Sequence, residues 1–287
     1  GSLKGKGDMQ RFLHSAVLIA VLSLALGCAP VTGPASGGAP GATAGQRATL
    51  NVFAAASLTD AFGAIGEQFA ADHPGVEVVF NFAGSNQLAT QISEGAPADV
   101  FAAANHAQMN VAIATGRIVS GTQQTFARNR LVVVTPGDNP AGLTTLHDLA
   151  APGIKVVFAA AAVPVGQYAL DFLAKAAADG SLGEGYQAAV LANVVSYEEN
   201  ARSALTKVAL GEADAGIVYT SDVAAGAAGD VQQIEIPDSL NTIAAYPIAV
   251  LSDSPNADLA QAFQAAVLSP AGQAVLEQYG LIAAVGD

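Results

Sequence analysis

Tryptophan is absent from these 287 residues and cysteine occurs once, at Cys28. A single thiol excludes an internal disulfide and any metal site built on paired cysteines. Aromatic residues make up 6% of the chain and charged residues 12%, against 52% hydrophobic. The core is therefore expected to be mostly aliphatic, in a chain long enough for one large domain or two ordinary ones. Basic residues are also scarce: eleven Lys and Arg face 24 Asp and Glu, a formal net charge of −13. A chain of that sign repels polyanions, so nucleic acid is not expected as a partner. The four histidines (His14, His73, His106 and His147) are scattered, and no cluster of His and carboxylates has metal-ligand spacing.

What is present begins with an export signal. Lys4, Lys6 and Arg11 precede Phe12 to Gly27, sixteen residues without Asp, Glu, Lys or Arg. That is short for a membrane span of about 20 residues and suits the apolar region of a signal peptide. The run ends Leu24-Ala25-Leu26-Gly27-Cys28, which resembles the lipobox of bacterial lipoproteins, although Ala25 stands where Leu is usual. The resemblance implies cleavage before Cys28, acylation of its sulfur and anchoring at the outer face of the cell membrane or in the periplasm. Residues 1–27 are thus read as the signal and 28–47 as a lipid-anchored linker. The linker is rich in Gly, Ala, Pro, Ser and Thr, has no periodicity, and cannot bury enough surface to offset its ordering entropy. Without residues 1–27 the charge becomes eight positive against 23 negative, or −15.

From Ala48 onward, short apolar runs alternate with amphipathic stretches, which calls for an α/β fold with mainly parallel sheets. Strands are expected at 50–54, 76–82, 98–102, 130–135, 155–159, 215–219 and 244–251. Helices are expected after Ser57, with Leu58, Phe62, Ile65 and Phe69 on one face, after Ser85, and at about 166–178, 201–210 and 256–279. Ser57 with Asp60 reads as a capping-box start, and Ser85 and Asn200 as helix N-caps.

Ligands of such sheets bind beyond the carboxyl ends of strands, where helices begin. Four such junctions are unusual: Phe53 to Ser57, Phe82 to Asn86, Val163 to Gly166, and Glu198 to Ala201. Each exposes unpaired N–H groups and a partial positive charge, which together form an anion site without a cation. A chain so poor in Lys and Arg would hold a small oxyanion in this way.

The junctions also carry a family resemblance. The segments FAAASL at 53–58, FAGSNQLA at 82–89, EGAPADVF at 94–101, VPVGQYA at 163–169, EENARSAL at 198–205, GIVYTSD at 216–222 and YPIAV at 246–250 closely resemble the molybdate-binding proteins of bacterial ABC uptake transporters. The resemblance covers 48–287. It implies two α/β lobes of the periplasmic-binding-protein type, 48–128 plus 247–287 and 129–246, joined by a two-strand hinge. It also implies a monomer that takes molybdate or tungstate, with no cofactor, between the lobes and delivers it to a membrane permease and its ATPase. Carried over by position, Ser57 and Ser85 supply donors from the first lobe. Val165 and Ala201 supply backbone N–H groups, and Tyr219 its hydroxyl, from the second. Val165 departs from the Ala common in the family, and Asn200 from an acidic residue. The competing readings are a receptor for sulfate or another tetrahedral oxyanion, and a serine-dependent hydrolase, which would need a base beside Ser57 or Ser85. No enzyme activity is expected.

Overall fold

A computed structural model describes residues 48–224 and 231–284, all within one compact unit. The signal, Cys28 and the linker lie outside the described residues. Among the described residues no helix is long and apolar enough to cross a membrane.

The chain opens with β1 (Ala48–Ala55), a 3-10 turn (Ala56–Leu58), α1 (Thr59–Asp72), β2 (Val76–Ala83), α2 (Ser85–Ser93), β3 (Val100–Ala102), α3 (His106–Ala114) and β4 (Gln124–Asn129). One residue later β5 (Leu131–Pro136) begins, followed by β6 (Val156–Ala159), α4 (Pro164–Asp179), α5 (Tyr186–Ala192), β7 (Val194–Glu198), α6 (Ala201–Ala209), β8 (Ala215–Tyr219), α7 (Thr220–Ala224) and β9 (Val231–Glu235). The chain closes with β10 (Ala244–Val250), α8 (Ala257–Leu268), α9 (Pro270–Gln278) and β11 (Ile282–Ala283).

These strands form two sheets. The first has the order β11-β4-β10-β3-β1-β2 and the second β7-β6-β8-β5-β9. The chain passes from the first to the second at Arg130 and returns between Glu235 and Ala244. Ala244 to Tyr246, expected in the second lobe, pair with β4 in the first sheet.

Both sheets are mixed rather than mainly parallel. β2, β1 and β3 run parallel, as do β7, β6 and β8, while β4, β10 and β11 in one sheet and β5 and β9 in the other pair antiparallel. The parallel triplets are the βαβ part of each sheet, which needs crossover helices. Their antiparallel neighbours include the strands that enter and leave at the two passages.

The aliphatic core has an aromatic centre that composition alone did not indicate. Phe62 packs on Phe126 and Phe263 with ring centroids 5.5 and 5.9 Å apart, and Phe263 on Phe69 at 5.4 Å. Leu58 of the 3-10 turn and the α1 face of Phe62, Ile65 and Phe69 are buried in this core, which fixes the strand-to-helix turn before α1.

Candidate functional site

The five residues singled out in the sequence (Ser57, Ser85, Val165, Ala201 and Tyr219) line one cavity. Their side of the fold follows from the parallel strands: β1, β2, β3 and β6 all end at it, and helices start where they stop. Ala55 and Ala56 continue β1, Ala83 and Gly84 continue β2, Ala104 follows β3, and Val163 and Pro164 open α4. About 210 Å³ of empty space lies within this lining.

Two caps differ from expectation. Ser57 lies inside the 3-10 turn, α1 starts two residues later without a side-chain cap, and the capping box with Asp60 does not form. Instead Ser57 Oγ stands 2.9 Å from Tyr246 Oη. Ser85 is the first residue of α2, not its N-cap, and its Oγ accepts a hydrogen bond from the Ala104 N–H at 2.9 Å. Burial of both serines explains the change, because a hydroxyl facing the interior takes an interior partner. Asn200 does cap α6, accepting from the Ser203 N–H at 2.9 Å.

On the other wall, α4 begins with Pro164 after the N-cap Val163, so the first free amide is that of Val165. Ala201 opens α6. The leading amides of a helix have no acceptor within it, and they give this end a partial positive charge. Gly166 allows α4 to start here: a Cβ at that position would stand 2.2 Å from the Ala160 carbonyl oxygen.

Tyr219 ends β8 and is 2% exposed. Among the described residues its hydroxyl makes no hydrogen bond of good geometry, and the Tyr246 hydroxyl is its nearby polar neighbour. Burial, helped by the nearby Tyr246, Tyr168 and Asp222, pushes the Tyr219 hydroxyl well above the ordinary tyrosine range, so it remains a neutral donor. Behind it, fully buried Asp222 accepts from the Tyr219 N–H at 3.1 Å, and burial raises its carboxyl to about 7 against the opposing pull of Arg202.

None of the lining residues is Asp, Glu, Lys, Arg or His. His73 stacks on Phe69 at the end of α1, and His106 pairs with Thr125 at the start of α3. Glu198 is held by Lys207 at 2.8 Å, and Glu199 accepts from Gln87 at 3.4 Å. Both glutamates lie outside the cavity lining. Among the described residues the side chain of Ser57 pairs with Tyr246 and that of Ser85 with the Ala104 amide, and neither partner is the His or carboxylate base of a serine nucleophile.

Contacts between the two sheets surround the cavity. Asp60 at the start of α1 forms an ion pair with Arg202 on α6. A Cβ on Gly84 would stand 2.6 Å from the Glu199 carbonyl oxygen, so only glycine fits this approach. Two contributors escaped the sequence reading: Ala104, whose amide orients Ser85, and Tyr246, which partners Ser57. The first sits at a fifth strand end, after β3, and the second on a strand valued only as part of a motif.

A buried, uncharged, donor-lined cavity between two α/β sheets is the arrangement of a small-solute receptor. The chain belongs to the bacterial extracellular solute-binding proteins, which it matches over residues 50–282. It is 40% identical over 268 residues to the molybdate-binding protein ModA of Mycobacterium tuberculosis, covering 93% of this chain and 95% of that protein. In fold it is similar to the periplasmic molybdate-binding protein of Azotobacter vinelandii (TM-score 0.70, 20% identity, 81% of this chain and 98% of the other). It is equally similar to the sulfate-binding protein SubI of Mycobacterium tuberculosis (TM-score 0.72, 20% identity, 83% and 88%). At that identity both likenesses concern the fold alone.

Proposed function

We propose that this protein is the molybdate receptor of an ABC uptake system, holding molybdate or tungstate through Ser57, Ser85, Tyr219 and the amides of Val165 and Ala201. The observation that carries the reading is the unpartnered Tyr219 hydroxyl, buried in a cavity that offers no charged side chain. A buried polar group without a partner costs about 1–3 kcal/mol. An oxyanion repays that cost, since a hydrogen bond to a charged partner contributes roughly 1.5–3 kcal/mol. The relatives named for molybdate support this choice of anion.

Every hydroxyl and amide N–H aimed at the anion can donate, so a fully deprotonated oxyanion suits the site. Hydrogen phosphate brings a proton that must take a hydroxyl lone pair where a donor would otherwise bind, and it binds more weakly for that reason. Sulfate carries no such proton, and its smaller size stretches every hydrogen bond in a cavity fitted to molybdate. Tungstate matches molybdate closely.

Capture works by closure. The lobe of the first sheet offers the two serines, the lobe of the second sheet closes Val165, Ala201 and Tyr219 over the anion, and binding shifts the open-closed equilibrium. Asp60–Arg202 joins the two sides in the closed arrangement. The closed form docks on the permease and its ATPase. It works outside the cell membrane as a monomer, held by acylated Cys28, and performs no catalysis.

Calorimetric titration with molybdate, tungstate, sulfate and phosphate tests this. One-to-one binding of the first two, with sulfate weaker by about a hundredfold or more, is expected. Sulfate binding as tight as molybdate would widen the ligand class, and no binding of any of the four would end the reading.

A further inference from the structure

Tyr246 lies on β10, which brings the chain back into the first sheet, and is fully buried. Its Oη accepts a hydrogen bond from Asn129 Nδ2 at 3.2 Å and stands 2.9 Å from Ser57 Oγ. Asn129 ends β4, at the passage from the first sheet to the second. The orientation of its amide is set by the backbone. The Arg130 N–H donates to Asn129 Oδ1 at 3.0 Å, and the Thr220 hydroxyl donates to the same oxygen at 3.0 Å. With Oδ1 so placed, Nδ2 faces Ser221 Oγ at 2.7 Å and Tyr246.

A buried phenol that accepts from Asn129 needs an acceptor for its own proton. Ser57 Oγ is within reach, and having accepted, it turns its own proton to the cavity that it lines. We infer that Asn129 and Tyr246 are positioning residues for the anion site: the relay from Asn129 Nδ2–H through Tyr246 Oη–H to Ser57 Oγ occupies one lone pair of Ser57 and turns its proton toward the anion. This rests on the oxyanion reading and adds to it the source of the donor's direction. Ser85 reaches the same state independently, because its Oγ already accepts from Ala104. The selectivity of the Ser57 position against a protonated anion is therefore set at the passage between the sheets, not at the cavity wall.

The test is titration of the wild-type protein, Tyr246→Phe and Asn129→Asp with molybdate and with inorganic phosphate, at mildly alkaline pH where both anions carry two charges. Thermal melts check that each variant folds. In Tyr246→Phe the Ser57 hydroxyl is free to rotate. In Asn129→Asp the carboxylate accepts from Tyr246, reverses the relay and turns a Ser57 lone pair to the anion. Molybdate affinity is expected to fall about tenfold or more in both. Phosphate affinity should fall less or rise, so the molybdate-to-phosphate ratio narrows, most strongly in Asn129→Asp.

A new negative charge by itself weakens both dianions alike and leaves the ratio unchanged. Equal losses for the two anions, or wild-type affinity for molybdate in either variant, would overturn the relay. Wild-type protein that binds neither anion would overturn the oxyanion reading and the relay together. Wild-type binding with an unchanged ratio in the variants would overturn the relay alone.

Discussion

The two walls of the cavity treat their hydroxyls in opposite ways. On the first-sheet side, Ser57 pairs with Tyr246 and Ser85 with the Ala104 amide. On the second-sheet side, among the described residues, the Tyr219 hydroxyl makes no hydrogen bond of good geometry and the Asp222 behind it keeps an unpaired Oδ1. One wall is satisfied before any ligand arrives and its donors are already aimed. The other carries polar groups buried at a cost, which an anion offsets. A receptor built so holds its first docking surface rigid and makes closure of the second depend on the ligand.

This contrast breaks most sharply when both serines are lost. Ser57→Ala with Ser85→Ala removes two charge-assisted donors, and molybdate affinity is expected to fall about a hundredfold or more. Ser85→Ala alone also orphans the buried Ala104 amide, so its melting experiment should show a loss of about 1–3 kcal/mol. Tyr219→Phe separates the two walls by sign. Affinity should drop about tenfold or more, while ligand-free stability stays level or rises by up to about 1 kcal/mol, because a buried unpaired hydroxyl disappears.

The fourth expectation concerns pH. Asp222 is raised from 3.8 to about 7 by burial. Between those values the folded protein binds the proton that the unfolded chain has lost, so stability attributable to Asp222 falls as pH rises from about 4 to about 7 and is flat above. Denaturant midpoints of wild type and Asp222→Asn across that window check it, since the variant should lack this part of the slope. The smallest effect is on the contact that joins the walls. Asp60 and Arg202 keep 29% and 22% of their side chains exposed, so Asp60→Asn should weaken molybdate binding only about two- to fivefold, mainly through faster release.

Much of this was legible in the sequence, because the parallel strands end in small residues and the helices that follow start abruptly. The five lining residues were placed by those junctions and by family resemblance. What escaped has physical causes. β4, with Gln124, Thr125, Arg128 and Asn129, reads as polar, and it becomes a strand through pairing with β10 and β11 far along the chain. β7 is an edge strand whose Val195 and Tyr197 are 58% and 56% exposed, so its pattern does not mark a buried face. The long helix expected at 256–279 is two, broken where Ser269 accepts from the Gly272 N–H and Pro270 starts α9. That signal was present as a Ser-Pro pair. The relay through Asn129 and Tyr246 joins residues 117 positions apart, and no local pattern reveals such a pair.

The most direct test of the central claim is to locate molybdenum by its anomalous scattering in crystals of the protein grown with molybdate. The account predicts one site in the cavity, with the anion's oxygens accepting from Ser57, Ser85 and Tyr219 and no charged side chain in contact. A site at a surface cation such as Arg202 or Lys207, or a cavity that stays empty while molybdate binds elsewhere, would contradict it.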